Sequence, residues 1–216
     1  MNFKKLGAVI LFSAVILAGP SVFADAFGLT TGYLSTADAC GFGVGYIGGF
    51  AGIGDDGTTL FGSITYGFSD YTEGRFRLGF FDPDYPGSDP VLTLCADLKY
   101  EFMDYYDRHT KNPFDLAFGG FFEYTNIENA NVWDLGANAI GSIPYKFASG
   151  RRLVPYARLD IRLEHVSVDN AGSDSNFRAG LNLGTKFEMT PDFHLYGELQ
   201  IDGNFGLFTG VDIRAF

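Results

Sequence analysis

The feature of this sequence that most limits its fold is an alternation of apolar and polar residues, which recurs along most of the chain. The segment 177–189 shows it most clearly, with Phe177 and Leu181 on one face. The charged residues Arg178 and Lys186 fall on the other face. Successive side chains of a β-strand point to opposite faces, so this period of two predicts strands rather than helices.

Ten such segments, each closed by turn-forming residues, predict ten strands joined in up-and-down order, with eight strands as the alternative. The predicted strands lie at approximately 40–51, 58–68, 74–81, 90–102, 114–124, 131–145, 153–166, 177–189, 193–202 and 204–216. Beyond the N-terminus the sequence has no apolar run long enough for a membrane-spanning helix, and such a chain crosses a membrane only as a closed barrel. The sequence therefore predicts an all-β fold, a single closed antiparallel transmembrane β-barrel, against the alternative of a soluble β-sandwich.

The N-terminus has the parts of a secretory signal peptide. Two lysines precede an apolar stretch at 6–18, and small residues lead to a predicted cleavage site after Ala24. We therefore expect residues 1–24 to be a signal peptide and residues 25–216 to form one barrel domain. The formal net charge is −11 and becomes more negative when both lysines are removed, which makes nucleic acid an unfavourable partner.

Charged residues of both signs fall at mid-strand positions on the polar face of three consecutive predicted strands. They are Arg158, Asp160, Arg162, Glu164, Arg178, Lys186, Glu188 and Glu198. Charges that lie away from water must be paired. We therefore expect these side chains to form a charge network in the lumen, although a water-facing sheet with incidental ion pairs would show the same alternation.

Aromatic residues gather near the strand ends on the apolar face. One predicted girdle, near the inner turns, consists of Tyr100, Phe102, Phe114, Tyr145, Phe187 and Phe193. The other, near the outer loops, consists of Phe50, Phe80, Tyr124, Trp133, Phe177 and Phe205. Two such girdles flank the apolar band of membrane barrels, whereas the aromatic residues of a soluble core have no reason to gather at strand ends.

The last predicted strand ends on an aromatic residue, Phe216. With this ending and the repeated alternation, the region 25–216 resembles the small, porin-like bacterial outer-membrane β-barrel proteins. The resemblance implies export by the general secretory route, both chain ends in the periplasm, and Phe216 as the signal for the barrel-assembly machinery. It also implies outer-membrane lipid and lipopolysaccharide as partners. Phe216 shares the parity of Asp212 and Arg214, so we expect a bulge or a shifted register there.

One local segment resembles the outer-membrane lipid A deacylases, whose barrels carry a His-x-Ser pair followed by Asn and Gly. Here the pair is His165 and Ser167, and Asn170 and Gly172 follow later than in that family. Two residues apart on a strand, His165 and Ser167 lie on one side, as a base and a nucleophile must. No Glu occupies an outward position on the next predicted strand, which leaves a membrane-interface segment without catalysis as the alternative.

Other residue patterns point to no cofactor or metal. Cys40 and Cys95 fall on opposite faces of strands that are not neighbours, so we expect two free thiols rather than a disulfide. The acidic loop 82–89 lacks the spacing of a calcium-binding hand. Four glycines alternate on the predicted inward face of the first strand, where they either leave space or accommodate large side chains from across the lumen. These glycines are Gly41, Gly43, Gly45 and Gly49.

The sequence therefore predicts an integral barrel of the bacterial outer membrane. Ten strands lie near the size that side chains alone fill, so we expect a structural barrel or a narrow passive channel for ions and very small solutes. The alternatives are a lipid A deacylase-like enzyme and a barrel that binds or adheres through its acidic outer loops. No motif points to a transported solute or to an oligomeric state.

Overall fold

The computed structural model describes residues 30–84, 88–106, 112–127, 130–168, 172–202 and 204–216. The predicted signal peptide lies outside these residues. The strands are β1 (Gly45–Gly54), β2 (Gly57–Gly67), β3 (Thr72–Pro83), β4 (Val91–Met103), β5 (Asp115–Ile127), β6 (Ala130–Ser142), β7 (Tyr145–Lys146), β8 (Arg152–Val168), β9 (Gly172–Thr190), β10 (Phe193–Asp202) and β11 (Asn204–Arg214). No helix in these ranges is long and apolar enough to cross a membrane.

Ten long strands close into one antiparallel barrel. Strands that follow one another along the chain pair with each other, and β1 pairs with β11 to close the ring. The two-residue strand β7 continues β6 after a short break, because both β6 and β7 pair with β8. The predicted barrel of ten strands is confirmed, and the eight-strand alternative is wrong.

The barrel is apolar outside and polar inside. On β8, the Ile161 side chain is 67% exposed, whereas its neighbours Asp160 and Arg162 are buried. Exposed apolar side chains of other strands include Ile53, Leu60, Leu78, Leu98, Phe118, Leu135, Leu183 and Leu207. A soluble β-sandwich would bury such side chains and leave the charges in water, so the soluble alternative does not fit this structure.

A segment that precedes β1 fills the lumen. Residues 30–40, which we call the lumen segment, run inside the barrel without forming helix or strand, and residues 30–37 are all buried. Thr30 contacts Thr93 near the start of β4. Asp38 lies 3.5 Å from Arg152, the first residue of β8, at the other end of the barrel. The lumen segment therefore crosses the barrel from one end to the other.

The chain end forms a β-bulge against β1. Ala215 donates its N–H to the carbonyl oxygen of Gly45 at 2.8 Å, and Gly45 donates its N–H to the carbonyl oxygen of Phe216 at 2.9 Å. Two residues thus lie opposite one, which is the arrangement of a bulge. The bulge turns the Phe216 ring outward, where it is 55% exposed and its centroid lies 5.9 Å from that of Tyr66.

Thr30 and Phe216 lie at opposite ends of the barrel. Phe216 is hydrogen-bonded to Gly45 at the start of β1. Thr30 lies near the start of β4, which is at the other end of the barrel. The resemblance implies both ends of the mature chain on one side, which stays a prediction. The residues before Thr30 lie outside the described part of the chain.

Candidate functional site in the barrel lumen

All eight charged side chains that the sequence places in the lumen face inward. Arg158, Asp160, Arg162, Glu164, Lys186 and Glu198 are buried, and Arg178 and Glu188 are half-buried. Arg162 pairs with Asp202 at 2.5 Å and with Asp134 at 2.9 Å. A third carboxylate, that of Asp160, lies 3.3 Å away. Because Asp134 is on β6 and Asp202 is on β10, Arg162 links strands on both sides of β8 and β9.

Arg158 has no exposed surface. It donates a hydrogen bond to Asn182 at 3.0 Å and lies 3.6 Å from Asp160. Its guanidinium carbon is 4.1 Å from the centroid of the Tyr33 ring and 4.8 Å from that of Phe121. Cations over aromatic rings are attracted by the ring quadrupole. Arg158 therefore connects the charge network to Tyr33 of the lumen segment.

A second charged cluster lies on β3 and β4. Arg75 and Arg77 both pair with Asp97, at 3.1 and 3.0 Å, and Lys99 pairs with Glu73 at 2.9 Å. The sequence reasoning missed this cluster as part of the site. The signal was present, since charges of both signs recur at a spacing of two in both strands.

Two buried carboxylates of the barrel wall are held by the lumen segment. Within the described residues, no basic side chain forms an ion pair with Glu123 or Glu198. Glu198 accepts the backbone N–H groups of Tyr33 and Leu34, each at 2.6 Å. Glu123 accepts the N–H of Thr30 at 2.6 Å. Consecutive N–H groups that converge on one carboxylate form a backbone nest, an arrangement that binds anions.

Basic side chains of the wall bind the carbonyl oxygens of the same segment. Lys99 donates to the carbonyl oxygen of Thr36 at 2.6 Å and to that of Asp38 at 2.9 Å. Arg75 and Arg77 donate to other carbonyl oxygens of the segment. The wall therefore binds both the donors and the acceptors of this main chain.

Leu34 fixes the middle of the lumen segment. Its side chain packs in a pocket of three rings, Phe50, Phe61 and Phe208. Leu34 has a φ of 52°, and among the described residues other than glycine it alone has a positive φ. This left-handed conformation is unfavourable for a residue with a side chain. The ring pocket and the hydrogen bond to Glu198 hold Leu34 in it.

Asp38 anchors the segment at the end of the barrel where the chain terminates. Its carboxylate lies 3.2 Å from Lys186 and 3.5 Å from Arg152. Burial alone would raise the pKa of the Asp38 carboxyl, but the charges of Lys186 and Lys99 hold this pKa below its usual range. Lys186 also pairs with Glu188 at 3.3 Å. Asp38 is therefore a charged anchor at neutral pH.

Beside Asp38 the lumen opens into a cavity of about 650 Å³. One wall carries His194, whose Nδ1 lies 2.8 Å from Asp212. Tyr196 donates its hydroxyl to the same carboxylate at 2.9 Å. The cavity is large enough for a small molecule, but the lumen segment occupies the path from it to the other end of the barrel.

Eleven of the twelve predicted girdle residues lie on the outer face or beside it. Tyr100, Phe102, Tyr145, Phe80, Phe177 and Phe205 are exposed, and Phe114, Phe187, Phe193, Tyr124 and Trp133 are half-buried. Phe50 is the exception, because it is 4% exposed and faces the lumen.

The face assigned to the first strand was inverted. β1 begins at Gly45 rather than at residue 40, so Gly41 and Gly43 precede it, and Gly49 lies on the outer face. This strand has few large side chains, and a weak alternation specifies the faces of a strand poorly.

In the structure His165 contacts a serine other than Ser167, with which the sequence pairs it. His165 Nδ1 lies 2.7 Å from the Oγ of Ser175 on β9, and its ring stacks on Trp133 with centroids 5.0 Å apart. Ser175 lies directly opposite His165 in the β8–β9 ladder. The sequence reasoning missed Ser175 because β9 begins five residues before the predicted strand, at Gly172. The hydroxyl bonded to His165 Nδ1 is therefore not that of Ser167.

Both cysteines are free, as predicted. Cys95 faces inward and accepts a hydrogen bond from Arg77 at 2.8 Å. Burial, together with the Glu73 carboxylate, raises the pKa of the Cys40 thiol to about 12. Cys40 is therefore a protonated thiol at neutral pH and a poor nucleophile.

Three carboxylates, those of Glu101, Asp104 and Asp115, lie within 4.8 Å of one another near the turn that follows β4. Two of them already accept backbone hydrogen bonds, Glu101 from Ala39 at 2.8 Å and Asp115 from Tyr105 at 2.5 Å. These bonds join the turn and the lumen segment to the barrel.

No protein-family model matches the chain, and no curated protein matches it. Solved structures that are similar to it include the N-terminal β-barrel domain of Pseudomonas aeruginosa OprF, with 14% identity, a TM-score of 0.40, and coverage of 81% of this chain and 99% of that one. The KdgM porin in complex with disordered oligogalacturonate has 8% identity and a TM-score of 0.43, with coverage of 79% of this chain and 99% of that one. An outer-membrane channel from Pseudomonas putida F1 has 15% identity and a TM-score of 0.42, with coverage of 83% of this chain and 98% of that one. At these identities and TM-scores, the function of the barrel has to be argued from its own residues.

Proposed function

We propose that the chain is an integral β-barrel protein of the bacterial outer membrane. The support is the outer surface, which carries large apolar side chains on strand after strand. Each such side chain contributes about 1.5–3 kcal/mol when it leaves water, so the surface is stable in lipid and unfavourable in water. The predicted signal peptide fits the same compartment, because export is the first step towards the outer membrane.

We infer further that the barrel is a narrow channel that its own lumen segment closes. The observation that carries this inference is the burial of residues 30–37 inside the ring of strands. The strand ladder closes through β1 and β11 and needs no residue of the segment. Removal of the segment would therefore leave a closed ring around a passage lined by charges of both signs, suited to ions and very small solutes. With the segment in place, the barrel acts as a structural protein.

Single-channel recording in planar bilayers tests the proposal. The mature chain, residues 25–216, is expected to be silent. A variant that lacks residues 25–39 is expected to show discrete conductance steps, because its lumen is open. Heat-modifiable migration on gels establishes that both proteins are folded.

A control variant keeps the segment but weakens its attachment. Tyr33→Ser combined with Leu34→Ser removes the ring contact with Arg158 and the packing against Phe208. We expect brief openings from this variant and longer ones from the deletion. Silence from a folded deletion variant would overturn the channel and leave the structural barrel.

A further inference from the structure

We propose that the lumen is a binding site for a polypeptide segment, and that residues 30–38 are the occupant that the chain itself supplies. This inference rests on the proposed closure of the lumen by that segment. It adds the class of ligand, which is a peptide. A separate peptide of the same chemistry would bind in the lumen when the attached segment is absent.

The first argument is that the wall binds the peptide main chain. Six N–H groups of the lumen segment, those of residues 30, 33, 34, 37, 39 and 40, donate to side chains of the wall. Five carbonyl oxygens, those of residues 31, 32, 34, 36 and 38, accept from Arg75, Arg77 or Lys99. The wall therefore matches peptide groups, which every polypeptide carries and which an ion or a sugar lacks.

The second argument concerns Glu123 and Glu198, which are buried carboxylates and form no ion pair with a basic side chain of the described residues. Glu198 is oriented by the Tyr156 hydroxyl at 2.6 Å and by Asn182 at 2.8 Å. Its remaining partners are N–H groups of the lumen segment, and the same segment supplies the N–H partner of Glu123. A buried carboxylate without compensating donors is costly. An empty lumen therefore favours any ligand that brings backbone N–H groups to these two positions.

The third argument is a set of contacts that select among peptides. The ring of Tyr33 lies 4.1 Å from the guanidinium carbon of Arg158, which favours an aromatic residue at this position. Leu34 fills the ring pocket, which favours an aliphatic residue next to the aromatic one. Asp38 pairs with Lys186, which favours an acidic residue four positions further on. The preferred ligand is thus a peptide with an aromatic–aliphatic pair and a following acid.

The experiment uses the chain folded with its own segment in place. A protease recognition sequence is inserted after Phe42, which is 71% exposed and lies between the lumen segment and β1. Cleavage of the folded barrel turns the segment into a non-covalent ligand. We expect the fragment to stay bound, as seen by native mass spectrometry, and to exchange with a fluorescent synthetic peptide of residues 27–40.

Matched variants separate specific binding from trapping. Glu198→Gln is expected to weaken peptide binding at least tenfold, because both N–H groups then face a neutral amide. Asp134→Asn removes the charge of another buried carboxylate, which accepts a hydrogen bond from Arg162. This variant is expected to change peptide affinity less than twofold. A peptide with Tyr33→Ala and Leu34→Ala, and a peptide of reversed sequence, are expected not to compete.

Immediate release of the fragment, with no binding of the labelled peptide to the folded, cleaved barrel, would overturn the inference. Equal competition by the reversed peptide would do the same. The channel proposal fails separately. If the deletion variant conducts but binds no peptide, only the present inference is lost; if it binds the peptide but never conducts, only the channel is lost.

Discussion

Replacement of Arg162 by Met is expected to destabilise the barrel strongly. The Arg162 side chain has no exposed surface and donates hydrogen bonds to Asp134 at 2.9 Å and to Asp202 at 2.5 Å. Met has a similar length and no charge, so the substitution keeps most of the volume. It leaves both carboxylates buried without their cation.

The size of the effect follows from those two bonds. A hydrogen bond to a charged group contributes about 1.5–3 kcal/mol, so the loss of two predicts about 3–6 kcal/mol. Removal of one partner from a buried ion pair typically costs about 3–5 kcal/mol. The two ranges overlap, and we expect the free energy of unfolding to fall by about 3–5 kcal/mol.

The assay is equilibrium unfolding by guanidinium in lipid vesicles, followed by the fluorescence of Trp133, which is the single tryptophan of the chain. Arg214→Met is the matched control, because Arg214 is exposed and lies 3.7 Å from Asp192. Exposed pairs of this kind contribute about 0–1 kcal/mol. A loss below about 1 kcal/mol for Arg162→Met would refute the reasoning, since it would mean that water already solvates the network.

Three further predictions follow from other parts of the barrel. Ile161→Arg places a charge on the outer face and is expected to cost about 2–4 kcal/mol in vesicle refolding titrations if that face meets lipid, against less than about 0.5 kcal/mol on a water-facing surface. Phe216→Ala removes the ring that contacts Tyr66, and we expect a smaller fraction of folded protein in outer-membrane extracts, whereas an unchanged fraction would show that the ring is dispensable. Asp38→Asn is expected to destabilise the barrel at pH 7, where Asp38 is ionised and paired with Lys186. Because the pKa of Asp38 is lowered in the folded state, the difference between variant and parent should shrink below about pH 4; denaturation midpoints that differ equally at pH 3 and pH 7 would contradict this.

The strands could be predicted from the sequence because each has one face in a polar lumen and one face on an apolar exterior. On β4, for example, buried Lys99 alternates with exposed Leu98 and Tyr100. A register shift by one residue would exchange the two faces, so a clear alternation fixes the orientation of the side chains of a strand. The prediction failed at β1, where glycine separates the large residues and Phe50 is counted on the wrong face.

The lumen segment could not be predicted by the same reasoning. Both sides of the segment contact the wall, so Tyr33, Leu34 and Ala37 are all buried and show no period of two. Eleven main-chain groups of the segment hydrogen-bond the wall, six N–H groups and five carbonyl oxygens, and such groups leave no trace in the sequence. The available signal lay in the wall, where the inward carboxylates Glu123 and Glu198 accept N–H groups of this segment.

The inward glycines show how a ten-stranded barrel holds both a charge network and a peptide. A Cβ atom at Gly184 would lie 2.2 Å from the Tyr156 ring, and one at Gly52 would lie 2.3 Å from the Phe208 ring. The rings therefore occupy the space that side chains at these glycines would need, and side-chain volume is moved away from the axis. The Tyr156 hydroxyl can then reach Glu198 at 2.6 Å, which is the carboxylate that binds the lumen segment. The glycines of this lumen thus accommodate rings beside the wall, which leaves the axis open for the segment.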